Sequence, residues 1–153
     1  FERVEEWKDE IIFVAKTTGH SYSKLGSVRH LGEAILSDDF WVASKAERQA
    51  VNNVIQRSSA EMIKIIMGKI WRRGICFTFN CWFYFSVHDE IVLSVDKPAL
   101  VPVATEVHGY MVTKYADMTV PLESDIGVGK NFGTGLVKVG MEPNEQRLLE
   151  AAG

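Results

Sequence analysis

Residues 75–95 read ICFTFNCWFYFSVHDEIVLSV, and their pattern decides between sheet and helix at the centre of the chain. Ile75, Phe77, Phe79, Cys81, Phe83, Phe85 and Val87 occupy one parity, and Cys76, Thr78, Asn80, Trp82, Tyr84, Ser86 and His88 the other. Successive side chains of a strand point to opposite faces, so this alternation predicts one long strand with its odd positions turned to a core. A second apolar run, Ile91 to Val95, follows the polar triplet His88-Asp89-Glu90. Two such runs about a polar turn predict an antiparallel hairpin with an acidic pair at its tip. Cys76 and Cys81 lie five apart, on opposite faces of such a strand, so no disulfide between them is expected.

Upstream of the hairpin, Ser58 or Ser59 can cap a helix whose apolar face is Met62, Ile63, Ile66, Met67 and Ile70, with Gly74 closing it. Before it, Ser44 with Glu47 three residues on forms a capping box for a helix over Ala46 to Asn53, and a disturbance is predicted from Asn53 to Arg57. Phe1, Val4, Trp7, Ile11 and Val14 recur at steps of three and four, which predicts an amphipathic helix ending near Thr17-Thr18-Gly19. His20 to Leu31, broken by Gly26, reads as a small hairpin, and Gly32 to Phe40 as a connector. Downstream, Lys97-Pro98 opens a helix to about Tyr115, Val120 to Val128 reads as a strand, and the segment after Gly133 as a loosely held tail. The order predicts an α+β fold: helices packed on one face of a mainly antiparallel sheet, with carboxylates at a β-hairpin turn.

A chain of 153 residues suits one domain with a hydrophobic core. Its 46% hydrophobic and 24% charged residues exclude a disordered or fibrous chain. The net charge of −3 argues against a free-standing nucleic-acid binder, yet suits a catalytic part that must hold carboxylates for metal ions. The most apolar run, Ile75 to Phe85, falls short of the ~20 residues of a membrane span, so no membrane partner is expected. The start at Phe1, with neither Met nor a basic-then-apolar leader, predicts a fragment without a signal peptide. Two cysteines without metal spacing predict no zinc site and suit a reducing, cytosol-like compartment.

Two surfaces could carry chemistry. Asp89 and Glu90, held between strands, offer hard oxygen ligands to Mg²⁺, which takes one or two protein carboxylates and leaves its other positions to phosphates and water; the plain alternative is a solvated acidic turn. Arg48 and Asn52 are four apart on one helix face, and with Gln56 they could donate to phosphates and to minor-groove acceptors; the plain alternative is a solvated helix face. Gly127-x-Gly129-Lys130 lacks the Lys-Ser/Thr ending and the following helix of a phosphate loop.

Taken in order, Glu47-Arg48-x-Ala50-x-Asn52-x-x-Ile55-Gln56, Ala60-Glu61-x-x-Lys64-x-x-Met67, Val87-His88-Asp89-Glu90-Ile91-Val92-Leu93, Val120-Pro121-Leu122-Glu123 and Gly127-x-Gly129-x-Asn131-Phe132 resemble the C-terminal palm of family A DNA polymerases, the DNA polymerase I-like enzymes. Phe1-x-x-Val4-x-x-Trp7, Gly19 and Leu25-Gly26-x-x-Arg29 resemble the segment after the family's fingers helix. Five motifs in the right order are far more specific than any one of them.

The resemblance implies a palm-type antiparallel sheet, with residues 1–133 as the C-terminal palm, including the fingers-to-palm connection at its start, and 134–153 as a tail. It implies template-directed nucleotidyl transfer in replication or repair, with two Mg²⁺ ions in the complete enzyme, on primer-template DNA and deoxynucleoside triphosphates. Asp89 would be one of the two metal-binding aspartates and Glu90 its helper; both would be catalytic. His88 would lie against the primer terminus, Gln56 would reach the minor groove, and Arg48, Asn52 and Arg29 would belong to the DNA-facing surface. The first metal-binding aspartate and the fingers helix have no counterpart here, so a missing upstream polymerase segment is an implied partner and the chain alone is expected to be inactive. The implied setting is the cytoplasm of a bacterial or phage-infected cell, with a phage-type member of the family.

The chain departs from the family pattern at Arg57, where glycine is usual, and at Val54, where proline is usual. Two other readings stand beside the polymerase: a non-catalytic DNA-binding or structural remnant of the palm, and an unrelated metal-dependent nuclease that would need Glu123 or Asp125 to converge on Asp89 and Glu90.

Overall fold

In the computed structural model, which describes residues 2–115, 118–133 and 135–153, backbone contacts divide the chain into a unit over Phe1–Glu61 and another over Met62–Gly153. Phe1, the first residue of the predicted helical face, lies outside the described residues.

The first unit opens with helix α1, Glu2–Thr18. Gly19 ends it, donating its N–H to the Ala15 carbonyl at 2.9 Å, and the Gly19 carbonyl accepts the Leu31 N–H at 2.9 Å. Between those two bonds runs the predicted small hairpin: β1, His20–Tyr22, pairs antiparallel with β2, Val28–His30, with His20 opposite His30 and Tyr22 opposite Val28. A 3₁₀ turn at Gly32–Leu36 brings Ile35 inward. Ala15, Leu31, Ile35, Ala46 and Ala50 form the core, with Ile11 and Ala34 packed against it.

Helix α2 runs unbroken from Phe40 to Arg72, where the sequence predicts two helices and a disturbance between them. Its cap is Asp39, whose Oδ1 accepts the N–H groups of Trp41 at 2.8 Å and Val42 at 3.2 Å. Ser44 and Ser58 are therefore not caps. Ser44 lies inside the helix and accepts from Arg48 Nη1 at 2.9 Å, and the Ser58 hydroxyl donates back to the Val54 carbonyl. The continuity has a local cause: Val54 keeps the N–H that proline lacks, and Arg57 is a better helix former than glycine. Ile63, Ile66 and Ile70 are buried as the periodicity predicts.

The long strand predicted from Ile75 is corrected in its first half. Gly74, at φ +68, takes a conformation that L side chains rarely adopt and redirects the chain after α2. Its carbonyl then accepts from Phe77 at 3.0 Å and Thr78 at 2.8 Å, so Ile75–Thr78 is a single helical turn, α3. Ile75 points inward and Phe77 is 74% exposed, although both belong to the odd parity. Strand β3 starts only at Trp82 and runs to Val87; it pairs antiparallel with β4, Glu90–Ser94, with a register shift between Phe83 and Phe85. Within β3 the parity holds as far as Ser86, since Phe83 and Phe85 are half-buried and Trp82, Tyr84 and Ser86 exposed, but Val87, of the odd parity, is exposed beside the turn.

After a 3₁₀ turn at Lys97–Ala99, helix α4 spans Leu100–Met111, shorter than the predicted run to Tyr115. The predicted strand from Val120 narrows to β5, Ile126–Val128. The segment after Gly133 is not loosely held: β6, Val137–Gly140, pairs with β5, and α5, Glu145–Ala151, follows with Asn144 Oδ1 accepting the Arg147 N–H at 3.0 Å. Leu148 on α5 is fully buried with Val128 and Val139, against Leu100, Val101 and Ala104. The fold is thus mixed α+β, and its described strands form three separate two-stranded antiparallel sheets rather than one.

Candidate functional site

The His88-Asp89 loop is built by the ladder on either side of it. Val87 faces Glu90 and Ser86 faces Ile91, which leaves His88 and Asp89 as a two-residue turn and makes Glu90 the first residue of β4. His88 has φ +51 while Asp89 stays at negative φ, the sign pattern of a type II′ turn, where glycine is usual at the first position. Phe85 anchors the strand behind the loop, its ring meeting Phe132 edge to face at 4.8 Å. The Gly127-to-Phe132 motif therefore braces the hairpin. Gly129 in that motif has a steric reason: a Cβ there would lie 2.6 Å from the Gly135 carbonyl oxygen.

His88, Asp89 and Glu90 are all exposed. Among the described residues, neither carboxylate is held by a hydrogen bond or an ion pair. Both are free to take a hard cation or a donor. The two-residue turn takes a positive φ at its first position, which costs glycine nothing and His88 a strained backbone. We expect His88→Gly to be more stable than His88→Ala by about 1 kcal/mol, because alanine keeps the left-handed cost and glycine does not. Urea midpoints of the two variants check this; equal midpoints would mean that the loop relaxes.

The second group sits on α2. Arg48, Asn52 and Gln56 recur every four residues and are exposed along one stripe. What sets that stripe outward is a buried polar network that the sequence pattern does not single out. Asn53 Nδ2 donates to the Ser21 carbonyl at 3.3 Å and Ser21 Oγ at 3.2 Å, and Ser21 Oγ donates to the Ala50 carbonyl at 2.7 Å. Ser58 Oγ accepts the Lys24 N–H at 2.8 Å, and Ser23 donates to Glu61. The available signal was Ala46, Ala50 and Asn53 at helical spacing, a small-residue face able to approach a strand closely. Asn53→Ala removes both donors from a buried site, and about 2 kcal/mol of destabilisation is expected by denaturant titration. A loss under 0.5 kcal/mol would mean that water replaces the amide.

Arg29 is exposed at the centre of β2, opposite Ser21. The turn residues belong to one compact unit and Arg29, Arg48, Asn52 and Gln56 to the other. Glu123 is exposed, and Asp125 pairs with Lys138 at 3.3 Å. The described residues hold no group of three or more His, Cys, Asp or Glu able to bind a metal, so they give the nuclease reading no converging carboxylates.

Residues 1–134 match the family model described as DNA polymerase family A. The chain belongs to that family. It is 31% identical over 132 residues to DNA polymerase I of Streptococcus pneumoniae serotype 4, covering 86% of this chain and 15% of that protein. It is 33% identical over 135 residues to DNA polymerase I of Geobacillus stearothermophilus, again 86% of this chain and 15% of the other. Among solved structures, the POL domain of Pol1 from M. smegmatis, in complex with DNA primer-template and dNTP, superposes with a TM-score of 0.74 at 28% identity, over 80% of this chain and 21% of that one. This family A chain thus spans about a seventh of the length of these curated relatives. No helix among its described residues is long and apolar enough to cross a membrane.

Proposed function

We propose that this family A segment is the C-terminal part of a polymerase palm, which serves DNA-directed DNA synthesis together with a segment upstream of Phe1. The observation that carries the reading is Asp89: a carboxylate unpaired among the described residues, on a two-residue turn between paired strands, inside the match that covers residues 1–134. We assign residues 1–133 to the palm and 134–153 to a C-terminal extension.

Family A polymerases use Mg²⁺. Asp89 and Glu90 fit as part of such a site, being hard oxygen donors that are exposed and unpaired among the described residues, and too few to enclose an ion. Asp89 would hold the metal and Glu90 assist. When bound, two such ions stabilise the charge that develops during in-line phosphoryl displacement. The chain's own residues do the positioning. His88, fixed by its turn, faces the primer terminus. Gln56 donates to minor-groove acceptors, which lie at similar places in every matched base pair and so report pair shape rather than sequence. Arg48, Asn52 and Arg29 hold the backbone through phosphate contacts. The open edges of β3 and β4 suit addition of a strand from the upstream segment, which would supply the second aspartate. The proposed setting, a bacterial or phage-infected cytoplasm, is supported by the bacterial source of the relatives.

Primer extension tests the reading. The 153-residue chain alone should incorporate no nucleotide at any Mg²⁺ concentration, and the polymerase with the upstream segment in place should extend a matched primer. Extension by the chain alone would overturn the assignment of roles. A folded, DNA-binding but inactive whole protein would make it a palm remnant.

A further inference from the structure

We propose that Cys76 and Cys81 form a redox site, a dithiol that a low-molecular-weight disulfide such as oxidised glutathione converts into an intramolecular disulfide. Because Ile75–Thr78 is a helical turn and not a strand, the two cysteines do not fall on opposite faces. The Cys81 N–H donates to the Cys76 carbonyl at 3.1 Å, which sets the two residues side by side, and their Sγ atoms lie 3.5 Å apart. The return between them is fixed: Asn80 adopts φ +49, and its side chain donates to Asp96 at 3.1 Å. A disulfide needs the sulfurs about 1.5 Å closer, within the reach of two χ1 adjustments.

The two thiols differ in access, and that orders the chemistry. Cys76 is half-buried and Cys81 fully buried. Burial, and then the hydrogen bond and charge of Cys76, push the Cys81 thiol up to about 12, so it stays protonated while Cys76 is free. Cys76 thiolate attacks one sulfur of glutathione disulfide, whose S–S bond breaks and releases one glutathione thiolate. Capping removes the Cys76 charge that disfavours Cys81 ionisation. Cys81 then gives its proton to solvent and attacks the Cys76 sulfur, expelling the second glutathione thiolate. Two protein thiols are oxidised and one external disulfide is reduced to two thiols. A dithiol reductant reverses both steps.

The test is incubation of the folded chain in glutathione redox buffers, acid quenching, alkylation, and peptide mapping by mass spectrometry. Both thiols should disappear together into a Cys76–Cys81 linkage and reappear with dithiothreitol. Cys81→Ser should accumulate a single glutathione on Cys76, while Cys76→Ser should take up glutathione at Cys81 about tenfold more slowly. Two thiols that persist, or that are capped independently in the unmodified sequence, would overturn the site whatever the variants do. Equal capping rates in the two variants would overturn Cys76 as the attacking thiol.

Discussion

Asp89→Asn, in the polymerase with its upstream segment in place, should lower single-nucleotide incorporation by about a thousandfold or more while leaving the thermal melt almost unmoved. The substitution keeps the size and shape of the side chain and removes the charge that would hold the cation. Groups aimed at developing charge are worth roughly 10²–10³ in rate when one is removed, and a metal ligand stands at the upper end of that range. Stability should change by no more than about 0.5 kcal/mol, because Asp89 is exposed and unpaired among the described residues, and asparagine tolerates a turn position well. Glu90→Gln should do less damage, since Glu90 begins β4 and acts as helper. Near-normal incorporation by Asp89→Asn would reduce the His88-Asp89 turn to a solvated acidic loop and remove the chemical basis of the proposal.

The hairpin was legible because alternation and a polar turn both acted where the ladder forms, from Trp82 onward. Before Trp82 the same alternation misled. Periodicity reports which side chains differ, and Ile75 to Phe79 alternate by composition while the backbone follows the left-handed Gly74 into a turn of helix. That error also hid the cysteine pair, since the opposite-face argument assumed a strand. Asp89 was legible as a candidate from residue type and order. The network of Ser21, Asn53 and Ala50 was not, because it joins residues 29 and 32 positions apart through a backbone carbonyl and a short polar side chain. The burial of Leu148 was hidden for a related reason: α5 is short, and its apolar positions gain meaning only once β5 and β6 supply the surface beneath them.

Val54→Pro should destabilise the chain by about 3 kcal/mol, and Ser21→Ala combined with it should cost more than the sum of the two single changes. Proline at a helix interior removes one N–H and crowds the carbonyl four residues back, here that of Ala50. In this chain that carbonyl has a second donor, Ser21 Oγ at 2.7 Å, in a place where Ala50 is 0% exposed. With Val54→Pro alone, Ser21 still satisfies the oxygen, so the buried acceptor is not orphaned. With Ser21→Ala alone, the helical bond from the Val54 N–H remains, and the expected loss is about 1 kcal/mol. With both changes a fully buried carbonyl has neither donor, which should appear as a coupling of about 1–2 kcal/mol in a double-mutant cycle read by urea denaturation. The same arrangement shows how a proline at position 54 could be accommodated, since β1 already supplies a donor to the carbonyl that it would orphan, whereas valine keeps the helical bond as well and α2 continues from Phe40 to Arg72. Additivity within about 0.3 kcal/mol would show that Ser21 does not stand in for the lost amide.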